Sequence, residues 1–244
     1  MCGRYASFRD AQDLADELAI ADLAEDARLL PPSWNVAPRT RCGSWSRGRP
    51  RTRARSAARC GSRGGARPEL GQDPGVGARM INARSESLLD KPPSPSPSRP
   101  GAASSRPTGT TSGAASRLPG PGFHGAQAQG LQAAVLHPPR RAALAAFAGL
   151  YEFWRDPTKG DDDPTRWLVS TTIITTDAAP ALASIHDRMP LALPGPVGRV
   201  ARPCRRQGRG RRAARRPRVG MSAQEVAPVV NSVANNGPEL IRAV

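Results

Sequence analysis

Between positions 7 and 30 the apolar residues Ala11, Leu14, Ala15, Leu18 and Ala19 recur at the i, i+3, i+4, i+7, i+8 spacing of one helical face, with acidic residues opposite. Ser7, just ahead of that pattern, is the predicted N-cap. Two later stretches carry a different signature. Residues 147–154 (Phe-Ala-Gly-Leu-Tyr-Glu-Phe-Trp) and 167–176 (Trp-Leu-Val-Ser-Thr-Thr-Ile-Ile-Thr-Thr) are dense in aromatic and β-branched side chains and flanked by Pro and Asp, which predicts strands. A short apolar rhythm over 221–233 ends at Asn235-Asn236-Gly237-Pro238, a turn or loop signal. A helix first and strands later, with no βα alternation and no internal repeat, predicts an α+β fold.

Composition changes this picture in one respect. The 244 residues allow one domain of ordinary size or two small ones, yet 4% aromatic and 38% hydrophobic residues are thin for a core of that size. No apolar run is long enough to span a membrane, and the first residues have no apolar stretch resembling a signal peptide, so a cytoplasmic location is expected. Cys2, Cys42, Cys60 and Cys204 form no C-x-x-C pair, which argues against a zinc ribbon or a disulfide scaffold.

The charge is distributed in blocks. Residues 1–40, 80–90, 147–194 and 219–244 hold 18 of the 20 acids and 10 of the 36 bases, a net charge of −8. The intervening segments, 41–79, 91–146 and 195–218, hold 26 bases and 2 acids, or +24 over 119 residues. They also carry most of the Pro, Gly and Ser, a composition that does not fold by itself. All but two of the bases are Arg, which suits phosphate recognition and a GC-rich gene equally.

Short stretches inside the balanced blocks converge on one resemblance. They are Met-Cys-Gly-Arg-Tyr at 1–5, Trp-Asn-Val-Ala-Pro at 34–38, Ile-Asn-Ala-Arg-Ser-Glu at 81–86, Ile-His-Asp-Arg-Met-Pro at 185–190 and Asn-Asn-Gly-Pro-Glu-Leu at 235–240. In this order the chain resembles the SOS response-associated peptidase (SRAP) family, over about half its length. The resemblance implies a single α+β domain spanning 1–244, with a mixed, partly barrel-like sheet and flanking helices. It also implies a DNA damage response activity, in which the family shields abasic sites in single-stranded DNA by a covalent link through an N-terminal Cys exposed by autolytic loss of the initiator Met. Single-stranded DNA with abasic sites is the implied partner, bound by a monomer close to the nucleoid, with no membrane, metal or organic cofactor. Hydrolase, peptidase and lyase activities are implied with it.

The residue types suit that chemistry. Without Met1, Cys2 would present an α-amine and a thiol on adjacent carbons, and an amine of unperturbed pKa about 7.7–8.0 keeps a reactive unprotonated fraction near neutral pH. The opened abasic sugar is an aldehyde. The amine can condense with it to an imine, and the neighbouring thiol can close a five-membered thiazolidine in an intramolecular step. His186 resembles the family's catalytic His, able to exchange protons near neutral pH, and Asn82 resembles the Asn that positions the reacting group. Without the resemblance, a His in a His-Asp pair is more often structural, and for Asn82 a turn-forming residue after a strand is an equally good reading. Arg4 and Arg84 are placed to hold phosphates beside a lesion that offers no base to read; their plainer reading is a surface ion pair, with Glu86 as a partner.

The sequence departs from the family in one place. Where the family carries Pro-x-Asp-Gly-x-Tyr-Glu-Trp, whose Glu works with the His, this chain reads Arg106-Pro107-Thr108-Gly109-Thr110-Thr111-Ser112-Gly113. Glu152 resembles a later strand of the family and is no substitute. Read one base earlier, codons for Thr108 to Gly113 permit Asp-Gly-His-Tyr-Glu-Trp, and out-of-frame reading of a GC-rich gene would produce the Arg-Pro-Ala-Gly-Ser composition of all three basic segments. The chain then retains the family's Cys, Asn and His without its Glu, and is expected to be weakened or inactive. Two rival readings follow from the same residues. The run from Arg199 to Arg218, with ten Arg and no acid, could bind nucleic acid non-specifically; Cys42, Cys60, His124 and His137 could hold a metal, although their spacing fits no ligand pattern.

Overall fold

The computed structural model describes residues 3–17, 23, 25–38, 40–43, 57–60, 81–87, 111–117, 134–137, 144–163, 165–193 and 221–244. The chain begins with β1 (Tyr5–Ser7) and two short helices, α1 (Ala11–Glu17) and α2 (Glu25–Arg28), before β2 (Ser33–Val36) returns antiparallel to β1. The predicted helix is therefore shorter, and its start lies later. Ser7 is committed to β1, where it pairs with Ser33, and Asp10 caps α1 by accepting the Gln12 backbone N–H at 2.7 Å. Ala15 is the helix residue turned fully into the core, while Leu18 and Ala19 lie outside the described residues.

The main sheet is organised around β8 (Leu144–Arg155) and β9 (Trp167–Asp177), which pair antiparallel from Gly149↔Ile173 to Arg155↔Trp167. Both predicted strands are present, the first extended by three residues at its start. From Thr171 to Thr176 every residue of β9 is buried, so a run of β-branched side chains is packed on both faces, as expected of a central strand. Its neighbours are β4 (Ala57–Cys60), itself paired to β3 (Arg41–Gly43), and β5 (Asn82–Arg84), which runs parallel to β9 with Asn82↔Ile173 and Arg84↔Thr175. Along β8 lies β6 (Thr111–Arg117), in register over seven residue pairs.

Beyond Gly149 and Ile173 the two long strands diverge, and a returning segment fills the fork. β10 (Arg188–Pro190) pairs with the end of β9, β11 (Ala192–Leu193) pairs with the start of β8, and Leu191 bridges them: its N–H donates to the Ile174 carbonyl and its carbonyl accepts from Ala148, both at 2.9 Å. A separate pair joins β7 (Ala134–His137) to β12 (Ser222–Glu225). Among the described residues none of the three sheets closes on itself, so the expected partly barrel-like arrangement is not supported; the fold is a mixed αβ structure with few helices and open sheets. Strands β3, β4, β6, β7 and the first residues of β8 fall within the basic segments 41–79 and 91–146; segment 195–218 lies outside the described residues.

One buried cluster ties these parts together. It contains Tyr5 from β1, Val36 from β2, Phe147 from β8, Ile173 from β9, Leu182 and Ile185 from the turn that follows β9, and Met189 from β10. Tyr5 meets Phe147 edge to face, with centroids 6.4 Å apart. A smaller cluster of Val226, Val230 and Leu240 seats the C-terminal segment against Trp34. No helix among the described residues is long and apolar enough to cross a membrane.

Candidate functional site

The sequence-predicted residues occupy three segments that share this core. Arg4 precedes Tyr5, Asn82 pairs with Ile173, and His186 follows Ile185. Cys2 lies outside the described residues, as do His124 and the run from Arg199 to Arg218.

Asn82 sits on β5, held by backbone pairing to β9 and by the Ile173 N–H donating to the Ile81 carbonyl at 3.1 Å. Its side-chain Oδ1 and Nδ2 are both buried, and neither finds a hydrogen-bond partner among the described residues. A buried primary amide in that state sacrifices the desolvation free energy of both polar atoms, on the order of 1–3 kcal/mol each. Arg84, two residues on, is exposed at the end of the same strand.

His186 lies in the turn between the 3-10 helix Pro180–Leu182 and β10, about four-fifths buried as a side chain. The Arg188 backbone N–H donates to its Nδ1 at 2.9 Å, and Asp187 Oδ1 stands 2.6 Å from the same nitrogen. One nitrogen cannot serve both contacts: accepting the N–H requires a lone pair, whereas pairing with a carboxylate requires a proton. Burial, joined by the charge of Arg188, lowers the His186 pKa below its usual value despite the opposing pull of Asp187. Asp187 is exposed and free to turn towards water, so the neutral ring with a proton on Nε2 is the favoured state.

Arg4 is half-buried. Its Nη1 donates to the Val230 carbonyl at 2.6 Å, and burial lowers its pKa. That carbonyl also receives the Asn35 amide, whose Nδ2 reaches the carbonyls of Val230, Ser232 and Asn235 at 3.3, 2.9 and 3.0 Å. The reciprocal bond comes from Asn236, whose Oδ1 accepts the Trp34 N–H at 2.8 Å. The Asn235-Asn236-Gly237-Pro238 stretch is a loop, as the sequence predicts, and it has a purpose the sequence does not reveal: it docks the C-terminal segment onto β2 beside Arg4.

Sequence reasoning missed Asn35 and Arg188. Arg188 is the partner of Glu86, the acid that the sequence offered to Arg4 or Arg84. The candidate metal set does not assemble as a described cluster: among the described residues no three His, Cys, Asp or Glu side chains form a metal site, and Cys42 is buried in the core. Glu152 lies in β8 opposite Ser170.

Comparison with known proteins places this arrangement in a class. The sequence model of the SOS response associated peptidase (SRAP) family matches residues 1–96 and 122–233. The chain is 30% identical over its whole length to the abasic site processing protein YoqW of Bacillus subtilis, all of which is covered, and 28% identical over 79% of its length to YobE of the same organism, covering 78% of that protein. Among solved structures, a protein from Bacteroides thetaiotaomicron superimposes with a TM-score of 0.63 at 15% identity, with both chains fully covered. A phage-related protein from Bordetella bronchiseptica gives 0.59 at 22% identity, covering 92% of this chain and 94% of its own. These two likenesses show a shared fold. The chain belongs to the SRAP family.

Proposed function

We propose that this protein processes abasic sites in DNA, capturing them in single strands through a covalent bond to Cys2 once Met1 has been removed by hydrolysis of the peptide bond between them. The observation that carries the reading is the buried Asn82 amide, unpartnered among the described residues, on a strand that shares one core with the segments bearing Arg4 and His186. Family membership and the names of the curated relatives support it.

In this mechanism the Cys2 α-amine attacks the aldehyde carbon of the opened sugar, and loss of water gives the imine. The thiol then adds across the C=N bond: sulfur bonds to carbon, the thiol proton ends on nitrogen, and the thiazolidine ring closes with one water released overall. In its imidazolium form His186 donates the Nε2 proton to the departing hydroxyl and takes one back from the iminium nitrogen, with Asp187 beside Nδ1 supporting the transient charge. Asn82 orients the sugar through its amide, and Arg84 holds an adjacent phosphate from its exposed position. Arg4, already engaged with Val230, serves by fixing the start of β1.

The family match is interrupted at 97–121, the stretch in which the family's Glu has no counterpart. Proton transfer therefore falls to His186 alone, and crosslinking is expected to be slower than in a relative that keeps the Glu, by about 10²-fold or more. Incubation of the full-length protein with a single-stranded oligonucleotide bearing one abasic site tests the reading. The expected product is a heat-stable adduct whose mass is the sum of the Met1-lacking chain and the DNA less one water, absent with Cys2→Ala. An adduct that persists in Cys2→Ala would reject Cys2 as the nucleophile, and DNA binding without any adduct would favour non-covalent recognition.

A further inference from the structure

Arg188 makes two kinds of contact at once. Its backbone N–H holds His186 Nδ1, while its side chain, 11% exposed, reaches across the end of β9 towards β5. There Nη2 meets Glu86 Oε2 at 2.7 Å and donates to the Thr175 carbonyl at 2.9 Å, and Nη1 donates to Asp177 and, at 3.4 Å, to Glu86 Oε1. Glu86 is the middle residue of the 3-10 turn Ser85–Ser87, which directly follows the Asn82–Arg84 strand, and is 102 positions away in sequence. One strand, β9, lies between β10 and β5, so the reach covers two strand spacings of about 4.8 Å each, a span that only a long side chain bridges. The forked donors of a guanidinium serve Glu86, Asp177 and the Thr175 carbonyl at once, which the single nitrogen of an ammonium suits less well.

We propose that Arg188 is a positioning residue for the reaction, fixing the His186 ring through its backbone N–H and the Asn82 strand through Glu86, so that the acid-base group and the orienting amide move as one unit. This rests on the functional reading given above. It also assigns Arg188 away from DNA, because both terminal nitrogens are occupied by protein oxygens and the side chain is nearly buried. Glu86 gains from the pair as well. Burial would raise its pKa, but hydrogen bonds from Arg188, its own backbone and Ser85, together with the Arg188 charge, bring it down to about 2.

The test compares wild type, Glu86→Gln, Arg188→Gln and Arg188→Lys in two assays on the full chain. In the free protein, nitrogen-15 NMR of the His186 ring is expected to report one tautomer with the proton on Nε2 in wild type, and a tautomer mixture in both Gln variants. This readout needs no DNA, so it judges the positioning role even if wild type forms no adduct, an outcome that would instead sink the functional reading. In the crosslinking assay both Gln variants should lose about 10- to 100-fold in rate at saturating DNA, with half-saturation little changed and the same dependence of binding on salt; Arg188→Lys should recover only part of the rate. Glu86→Gln, close to isosteric at a half-exposed position, keeps the experiment informative if Arg188→Gln folds poorly. A single wild-type tautomer in both Gln variants would overturn the proposal. So would a salt dependence reduced by about one phosphate in Arg188→Gln with tighter DNA binding in Glu86→Gln, since that pattern marks Arg188 as a phosphate contact.

Discussion

Two corners of the molecule hold the candidate site, and they are built on opposite principles. At the end of β9, Arg188 gathers Glu86 and Asp177, carboxylates 49% and 80% exposed, around one guanidinium. At β2, Asn35 is 5% exposed and serves three backbone carbonyls through a neutral amide, with its own Oδ1 left without a partner among the described residues. The first corner fixes geometry with charges that water can still screen, and exposed ion pairs of this kind add little to stability. The second joins the two ends of the described chain with bonds that neither salt nor pH reaches, and buried carbonyls that lose their donor are expensive. Orientation and stability are thus assigned to different places.

Removing the core common to both corners should have the largest effect. Phe147 is fully buried, stacks edge to face on Tyr5 and lies where β8 receives β11, so Phe147→Ala is expected to destabilise by about 3–5 kcal/mol in denaturant unfolding and to impair both corners together. Asn35→Ala comes next. Losing its donors to Val230, Ser232 and Asn235 is expected to cost about 2–3 kcal/mol, equally at low and high salt, and to release the C-terminal segment first, seen as faster amide exchange over 228–241. A cost that shrank in high salt would erase the distinction between the corners.

Glu86→Gln should change stability by less than about 1 kcal/mol while slowing the chemistry, the inverse of Asn35→Ala. The pH response gives the same contrast without mutation. Because the folded pKa of Glu86 is depressed to about 2, its contribution is complete above the unfolded value and is lost as pH falls from about 4.5 towards 2. Glu86→Gln should flatten that part of the curve, and Asn35→Ala should leave its shape unchanged. The smallest effect belongs to His186. Its folded pKa is lowered, so the unfolded chain takes up the proton first and a modest stability is lost as pH drops below about 6.5; the slope should vanish in His186→Gln.

Local pattern determined a good part of this protein. The runs at 147–154 and 167–176 could only be satisfied as strands, because β-branched and aromatic side chains pack best on a pleated surface, and both are present as β8 and β9. The turn at 235–238 was equally legible, the helix was legible in its apolar spacing but not in its start, and the ordered short motifs led to the family. Ser7 shows where local reading ends. It has the chemistry of a cap, yet the chance to pair with Ser33 in β1 outweighed it and the cap passed to Asp10. Whether the basic segments reflect a displaced reading frame remains a proposal that resequencing of the coding DNA tests, with recovery of Asp-Gly-x-Tyr-Glu-Trp near position 110 as the expected result.

Only the tertiary structure decided how the site is held. That β8 and β9 splay and admit residues 188–193, that Arg188 meets Glu86 across 102 positions, and that Asn35 finds carbonyls 195 to 200 residues away are consequences of which strand lies between which. Periodicity records the face a residue turns to its own element. It carries no information about the distant acceptor that a buried donor will meet, because that acceptor is fixed by the order of strands in the sheet and by the need to satisfy every polar group the core encloses.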